Sequence, residues 1–256
     1  MSPPPSRLVR RGRPLKRWCY AGVFGPELMW CAGVVHVAGI PQTFWAAWDR
    51  TTLVERTRVL TTRGVEVSPA RVRVDGVASL DLVAAGAPID VTSPHGRATV
   101  WTRKTPVHAT GTVTVDGRTF GVDSHGLVDE TAGHHARHTA WSWSAGVGTA
   151  TDGRAVVWNL VDGVHDAAQG SERTVWVDGT PGEAGPATFA DDLSAVTVAS
   201  GERLVFTAET VRRRHDRLVV IDSDYVQPFG VFAGTLPGGV TLAEGFGVME
   251  HHRARW

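Results

Sequence analysis

The sequence predicts an all-β, antiparallel protein of two β-units, sandwich or barrel in type, with very little helix. Three observations carry this expectation. Short runs rich in Val, Thr and Trp alternate with Gly, Pro and Asp-Gly punctuation along almost the whole chain. Helical periodicity is nearly absent, with 130–137 and 189–193 the only short stretches that read as helix or turn. The candidate strands number about sixteen, more than one small closed barrel holds, so two units fit better than one.

In chain order, residues 1–15 are a basic, proline-rich arm carrying Arg7, Arg10, Arg11 and Arg13. The arm is expected to wrap over the domain or to be disordered. It is also a candidate for peripheral contact with an acidic membrane surface. The N-terminal β-unit spans 16–122, with strands expected over 17–23, 28–37, 43–49, 53–61, 71–74, 79–84, 98–103 and 107–115. Asp75-Gly76 and Asp116-Gly117 mark turns, because Gly takes up positive φ without steric cost. A polar, His-rich link is expected over 123–138. The C-terminal β-unit spans 139–256, with strands over 139–149, 154–161, 174–177, 195–199, 203–209, 217–224, 227–235 and 240–250. Its turns fall at Asp152-Gly153, Asp162-Gly163 and Asp178-Gly179, and Pro237-Gly238-Gly239 joins the last two strands. The halves show no plain sequence repeat.

Composition narrows the function classes. The chain has 256 residues and zero formal net charge, and its aromatics do not interleave with basic runs, so nucleic acid is not an expected partner. No apolar run is long enough to span a membrane, and the N-terminus lacks the apolar segment of a secretory signal. A cytoplasmic protein is expected. Cys19 and Cys31 flank the Gly25-Pro26 turn, where a hairpin would bring them nearly opposite. Their redox state is not specified by the sequence, and neither is the oligomeric state. Asn159 is the lone asparagine, and Lys16 and Lys104 are the only lysines among 26 basic residues.

The richest stretch for chemistry is 123–148, with four of the eleven histidines, three carboxylates and Trp141 and Trp143. In the strand 139–149 the odd positions Trp141, Trp143, Ala145 and Val147 form a bulky face, and Ser142, Ser144, Gly146 and Gly148 a nearly bare one. A bare face lets a packed element or a ligand approach closely. On 240–250, Glu244 and Glu250 share a face with Val240, Leu242, Phe246 and Val248, as acids do at a strand end or along a cavity. His134-His135-x-x-His138 has metal-like spacing if helical, with Asp129, His125 or His251 as a third ligand. No cysteine supports it, and no metal is expected. Nucleophile-elbow, phosphate-loop and dinucleotide patterns are absent, so no cofactor is expected either. The candidate catalytic residues are Asp129, Glu250, His138 and His251. The candidate ligand-binding residues are Trp141, Trp143, Asn159, Tyr225 and Gln227.

Six segments occur in order between Lys16 and Trp256: KRWCYAGVFGPELMW, HTAWSWSAGVG, WNLVDGVHD, GSERTVWVDG, SDYVQPFGVFAGTLPGG and GFGVMEHHRARW. Together they resemble the bacterial domain-of-unknown-function family 2804. That family is distantly similar in architecture to hydroxyneurosporene synthase and tocopherol cyclase. The resemblance implies lipocalin-like paired barrels around a cavity for an isoprenoid- or lipid-like molecule, and transfers no catalytic residue. Cofactor-free hydration or cyclisation needs one positioned acid to protonate a C=C bond and aromatic faces to stabilise the cation. Two alternatives stay open: a non-catalytic carrier of lipophilic ligands, and a carbohydrate-binding or carbohydrate-active protein with tryptophan platforms and paired acids.

Overall fold

The structure, a computed structural model, describes residues 5–218 and 221–255. A short hairpin, β1 (Val9–Arg10) and β2 (Arg13–Pro14), precedes two large antiparallel sheets. The first contains β3 (Lys16–Phe24), β4 (Met29–Val37), β5 (Ile40–Trp48), β6 (Leu53–Val59), β7 (Val65–Ser68), β8 (Arg71–Val74), β9 (Ala78–Ala84), β10 (Ile89–His95), β11 (Ala98–Val115) and β12 (Arg118–Gly133). The second contains β13 (His138–Ala150), β14 (Ala155–Asp162), β15 (Thr174–Val177), β16 (Thr180–Glu183), β17 (Ala187–Phe189), β18 (Ala195–Val198), β19 (Arg203–Leu218), β20 (Ile221–Leu236) and β21 (Val240–Arg255).

The sheets repeat one topology. Their orders are β6-β5-β4-β3-β12-β11-β9-β8-β7 and β16-β15-β14-β13-β21-β20-β19-β18-β17. In each, four strands meander outward, and the last strand returns to pair with the first. β10, paired to β11, has no counterpart in the second sheet.

Alternation along the strands separates three cores. Ala21, Val23, Trp30, Ala32 and Val128 point into the first unit. Trp158, Leu160, Phe206 and Phe232 fill the second. Tyr20, Phe24, Met29, Leu127, Trp143, Ala145, Phe229 and Val248 pack between the sheets. The inner strands are therefore apolar on both faces, which explains their hydrophobic runs. Bonds also cross between the units: Trp176 Nε1 donates to Ala87 O at 2.8 Å and Trp48 Nε1 to Glu209 Oε2 at 3.0 Å.

Several expectations need correction. The stretch 123–133 belongs to β12, so the His-rich link over 123–138 shrinks to the four residues 134–137. The strands expected over 98–103 and 107–115 are one strand, β11. Pro106, which has no N–H to give, sits between the part of β11 that pairs with β10 and the part that pairs with β9. The helix or turn expected over 130–137 is replaced by the end of β12 and extended chain, whereas 189–193 does hold a turn, with Leu193 N donating to Ala190 O at 2.9 Å; no described residue is helical. The strand expected over 217–224 is divided between β19 and β20, with 219–220 outside the described residues. Cys19 pairs with Val34 and Cys31 with Gly22, so the two thiols are not opposite, and both are free. The arm docks: His134 Nε2 shares a hydrogen bond with Arg7 O at 2.8 Å, and Arg13 donates to His95 O at 3.0 Å. No described helix is long and apolar enough to cross a membrane.

Candidate functional site

Packing between the sheets gives way to a cavity of about 210 Å³. Both units wall it. β3 contributes Trp18 and Tyr20, β11 Lys104 and β12 Asp129. From the second unit come Trp141 and Trp143 on β13, Glu250 and His252 on β21, Tyr225 on β20 and Arg212 on β19. The segment 163–173 between β14 and β15 adds His165 and Glu172.

The two halves of the wall repeat one arrangement. In the first unit Asp129 pairs with Tyr20 across β12 and β3, and Trp18 Nε1 donates to Asp129 Oδ2 at 3.1 Å. In the second, Glu250 pairs with Trp143 across β21 and β13, and Trp141 Nε1 donates to Glu250 Oε1 at 2.8 Å. Each indole thus reaches the carboxylate two residues along the neighbouring strand. The two indoles, Trp18 and Trp141, stack at 6.4 Å between centroids and 16° between planes.

The third partner differs. Asp129 receives Lys104 Nζ at 2.8 Å, and its Oδ1 also accepts the Thr131 hydroxyl at 3.0 Å. Lys104 bridges to Glu172 at 3.4 Å, making a buried ionic cluster across the two units. Burial acts to lower the lysine pKa, but Asp129 and Glu172 outweigh it and the net shift is upward. Glu250 instead meets the neutral Gln227, whose Nε2 donates to Oε2 at 3.0 Å. Arg212 is one residue further off and donates to Gln227 Oε1 at 2.8 Å and to Glu55 Oε2 at 2.8 Å. Burial pushes Glu250 up to about 7, against the lowering effect of hydrogen bonds from Trp141 and Tyr225. Burial also raises Glu172. It lowers His252 to about 4, so that imidazole is neutral near pH 7.

The sequence candidates divide. Asp129, Glu250, Trp141, Trp143 and Tyr225 line the cavity. Asn159 and Gln227 are fully buried and stand behind the wall rather than at its surface. Asn159 Oδ1 accepts Trp143 Nε1 at 2.7 Å, and its Nδ2 donates to Glu172 O at 2.8 Å, so it positions two lining residues. Two catalytic candidates are displaced. His138 is exposed at the start of β13. His251 bonds Ser142 Oγ at 3.1 Å and is not part of the cavity lining. The reason is alternation: β21 continues through Arg255, so His252, and not His251, shares Glu250's face. His134, His135 and His138 lie on extended chain, not one helical turn, and no group of three or more His, Cys, Asp or Glu among the described residues could hold a metal ion.

Sequence reasoning missed Lys104, Arg212, Trp18 and His252, whereas His165 and Glu172 belong to a polar set in a link that is long for a hairpin, a sequence sign of a functional loop. A signal existed for Lys104: in a chain that otherwise uses arginine, both lysines are buried. The repeat is not plain in the sequence because only short echoes of it survive. Trp18-Cys19-Tyr20 echoes Trp141-Ser142-Trp143, and Gly126-Leu127-Val128-Asp129 echoes Gly247-Val248-Met249-Glu250.

No curated protein sequence matches the chain. Solved structures do match in fold. A candidate AttH from Nitrosomonas europaea is 13% identical with a TM-score of 0.60, covering 95% of this chain and 93% of that one. Kievitone hydratase from Nectria haematococca is 11% identical with a TM-score of 0.57, covering 92% and 88%. Both share the paired, lipocalin-like half-barrels. The family model described as Domain of unknown function (DUF2804) matches residues 61–256, a stretch that holds Lys104, Asp129, Glu172 and Glu250. The chain belongs to the DUF2804 family.

Proposed function

We propose that this protein binds an apolar, isoprenoid- or lipid-like small molecule between its sheets and protonates a carbon–carbon double bond from Glu250, without a cofactor, leading to hydration or cyclisation. One observation carries the reading: a buried carboxyl, raised to about 7, is fixed by Trp141 and Gln227 in the wall of an aromatic cavity. An acid with that pKa is substantially protonated at neutral pH and still gives up its proton. The C=C π electrons take the proton, leaving a carbocation at the other carbon. The faces of Trp18, Trp141 and Trp143 stabilise that charge, each by about 0.5–2 kcal/mol. Water, or a nucleophile within the substrate, forms the new bond to the cation. The proton it sheds returns to Glu250, directly or through neutral His252. Asp129, already occupied by Lys104, serves as a fixed counter-charge and not as the acid.

The fold supports this reading in that kievitone hydratase has it too. A sugar needs many polar partners for its hydroxyls, and the mainly apolar walls speak against the carbohydrate reading. The test is incubation with geraniol, farnesol and a prenylated phenol in D₂O. Deuterium should enter the alkene with the wild-type protein, and Glu250→Gln should reduce the rate by about 10²–10⁴-fold. Binding of these compounds with no deuterium incorporation would make the protein a carrier. Binding of none would remove the apolar reading.

A further inference from the structure

The segment 163–173 forms a second polar patch in the cavity wall, one that the protonation step does not use. It is a fixed structure. Glu172 N donates to His165 O at 3.0 Å, and Ser171 N to Glu183 Oε1 at 2.8 Å. The buried Arg173 donates to Ala167 O at 2.6 Å. His165 has φ +53°, a left-handed conformation costly for a residue with a side chain, which this scaffold holds in place. Its Nδ1 shares a hydrogen bond with Ser93 Oγ at 2.9 Å. Ser93 lies on β10, the strand with no counterpart in the second sheet. The added strand thus fixes the ring.

Two buried polar atoms are left over. His165 Nε2 and Glu172 Oε2 have no hydrogen-bond partner in the protein, and both side chains line the cavity. Their residues are only 5% and 3% exposed. An unsatisfied buried polar atom is destabilising, and here two belong to the wall of one cavity.

We infer that this patch is a subsite for one neutral hydroxyl group of the ligand, a phenol, enol or alcohol, which donates to Glu172 Oε2 and accepts from His165 Nε2. With Ser93 donating to Nδ1, the neutral imidazole carries its proton on Nε2. Burial holds His165 neutral, with a pKa lowered to about 3. A carboxylate or phosphate would face Asp129 and Glu172, and an ammonium would face Lys104, so an uncharged group fits best. This rests on the reading of the cavity as an apolar ligand site and sharpens its substrate class to an apolar molecule whose hydroxyl is itself recognised.

Calorimetric titration of the full chain with 4-butylphenol and with butylbenzene tests it. The wild type should bind the phenol at least about tenfold more tightly, which is about 1.4 kcal/mol. His165→Leu should abolish that preference while still binding butylbenzene, which also reports an intact cavity. Glu250→Gln should retain the preference. If His165→Leu does not fold, Ser93→Ala, which releases the ring, should weaken the preference in the same assay. Equal affinity of the wild type for both probes would overturn the subsite and leave the apolar cavity standing. So would a preference that survives His165→Leu and vanishes in Glu250→Gln, because the hydroxyl would then sit at Glu250. Failure of both probes to bind would overturn the cavity reading and the subsite with it.

Discussion

Asn159 shows how one side chain can shape a site it does not touch. Its carboxamide spends its acceptor on the Trp143 indole and a donor on the backbone that carries Glu172. Asn159→Leu, close in volume, would strand the buried Trp143 N–H and leave Glu172 O with only the Thr174 hydroxyl, 3.2 Å away. A loss of about 1–3 kcal/mol in urea unfolding is expected, together with weaker binding of apolar probes. A loss below about 0.5 kcal/mol would show that these bonds are not needed. Its singularity in the sequence marked Asn159, but not its role, because a partner sixteen positions along the chain can be front or back of a wall. The same limit applies to Asp129 and Glu250. Each was legible as a candidate acid, but what separates them is a lysine on β11 against a glutamine on β20, and only the fold supplies that neighbour. The charged partner makes Asp129 a counter-ion, and the neutral one leaves Glu250 able to hold a proton.

Among elements, the pairing of first and last strands sets the geometry. β12 approaches β3 so closely at Gly126 that an added Cβ would lie 2.3 Å from Gly22 O. At Gly247 of β21 it would lie 2.2 Å from Ala145 O. Both are backbone contacts that cannot yield cheaply. Gly126→Ala and Gly247→Ala should each lower stability by about 1–3 kcal/mol and disturb the carboxylate three residues on. Gly121→Ala, on the same strand as Gly126 but with open space around it, should be near neutral. Thermal unfolding of the three variants checks this, and equal melting temperatures would refute it. Strands, turns and the two-unit division were largely readable from residue type. The His-rich stretch was misassigned because β12 carries polar residues on both faces, with Asp129 and Thr131 at the cavity and Asp123, Ser124, His125 and Glu130 outside its lining, so the usual apolar alternation fails. The bare face of β13 is explained by packing: Gly146 leaves room for Trp158, whose Nε1 donates to Ser144 Oγ at 3.1 Å.

For the whole molecule, burial between the sheets makes stability depend on pH. His135, His165 and His252 are held neutral, with His165 lowered to about 3 and His252 to about 4. As pH falls below about 6.5, the unfolded chain protonates these rings and the folded chain does not, so stability is lost toward acid. Glu250 and Glu172 act in the opposite sense. Their raised values mean that the folded chain takes up protons between about 7 and 4.5 while the unfolded chain does not. Three rings against two carboxyls leave a net loss toward acid. The urea midpoint should be lower at pH 5 than at pH 7, and a higher midpoint at pH 5 would contradict this balance.

The shared strand order also governs how the molecule comes to exist. β3 finds its partner β12 only after the rest of its sheet has been made, and β13 waits in the same way for β21. Such long-range pairing closes slowly, because loop entropy is lost before the contacts that repay it form. During synthesis the first sheet can close while the second is still incomplete, leaving its inner face bare of a partner. Glu250 arrives on the strand that seals the second sheet. The proposed acid and the cover over the exposed apolar face are therefore put in place by the same late event.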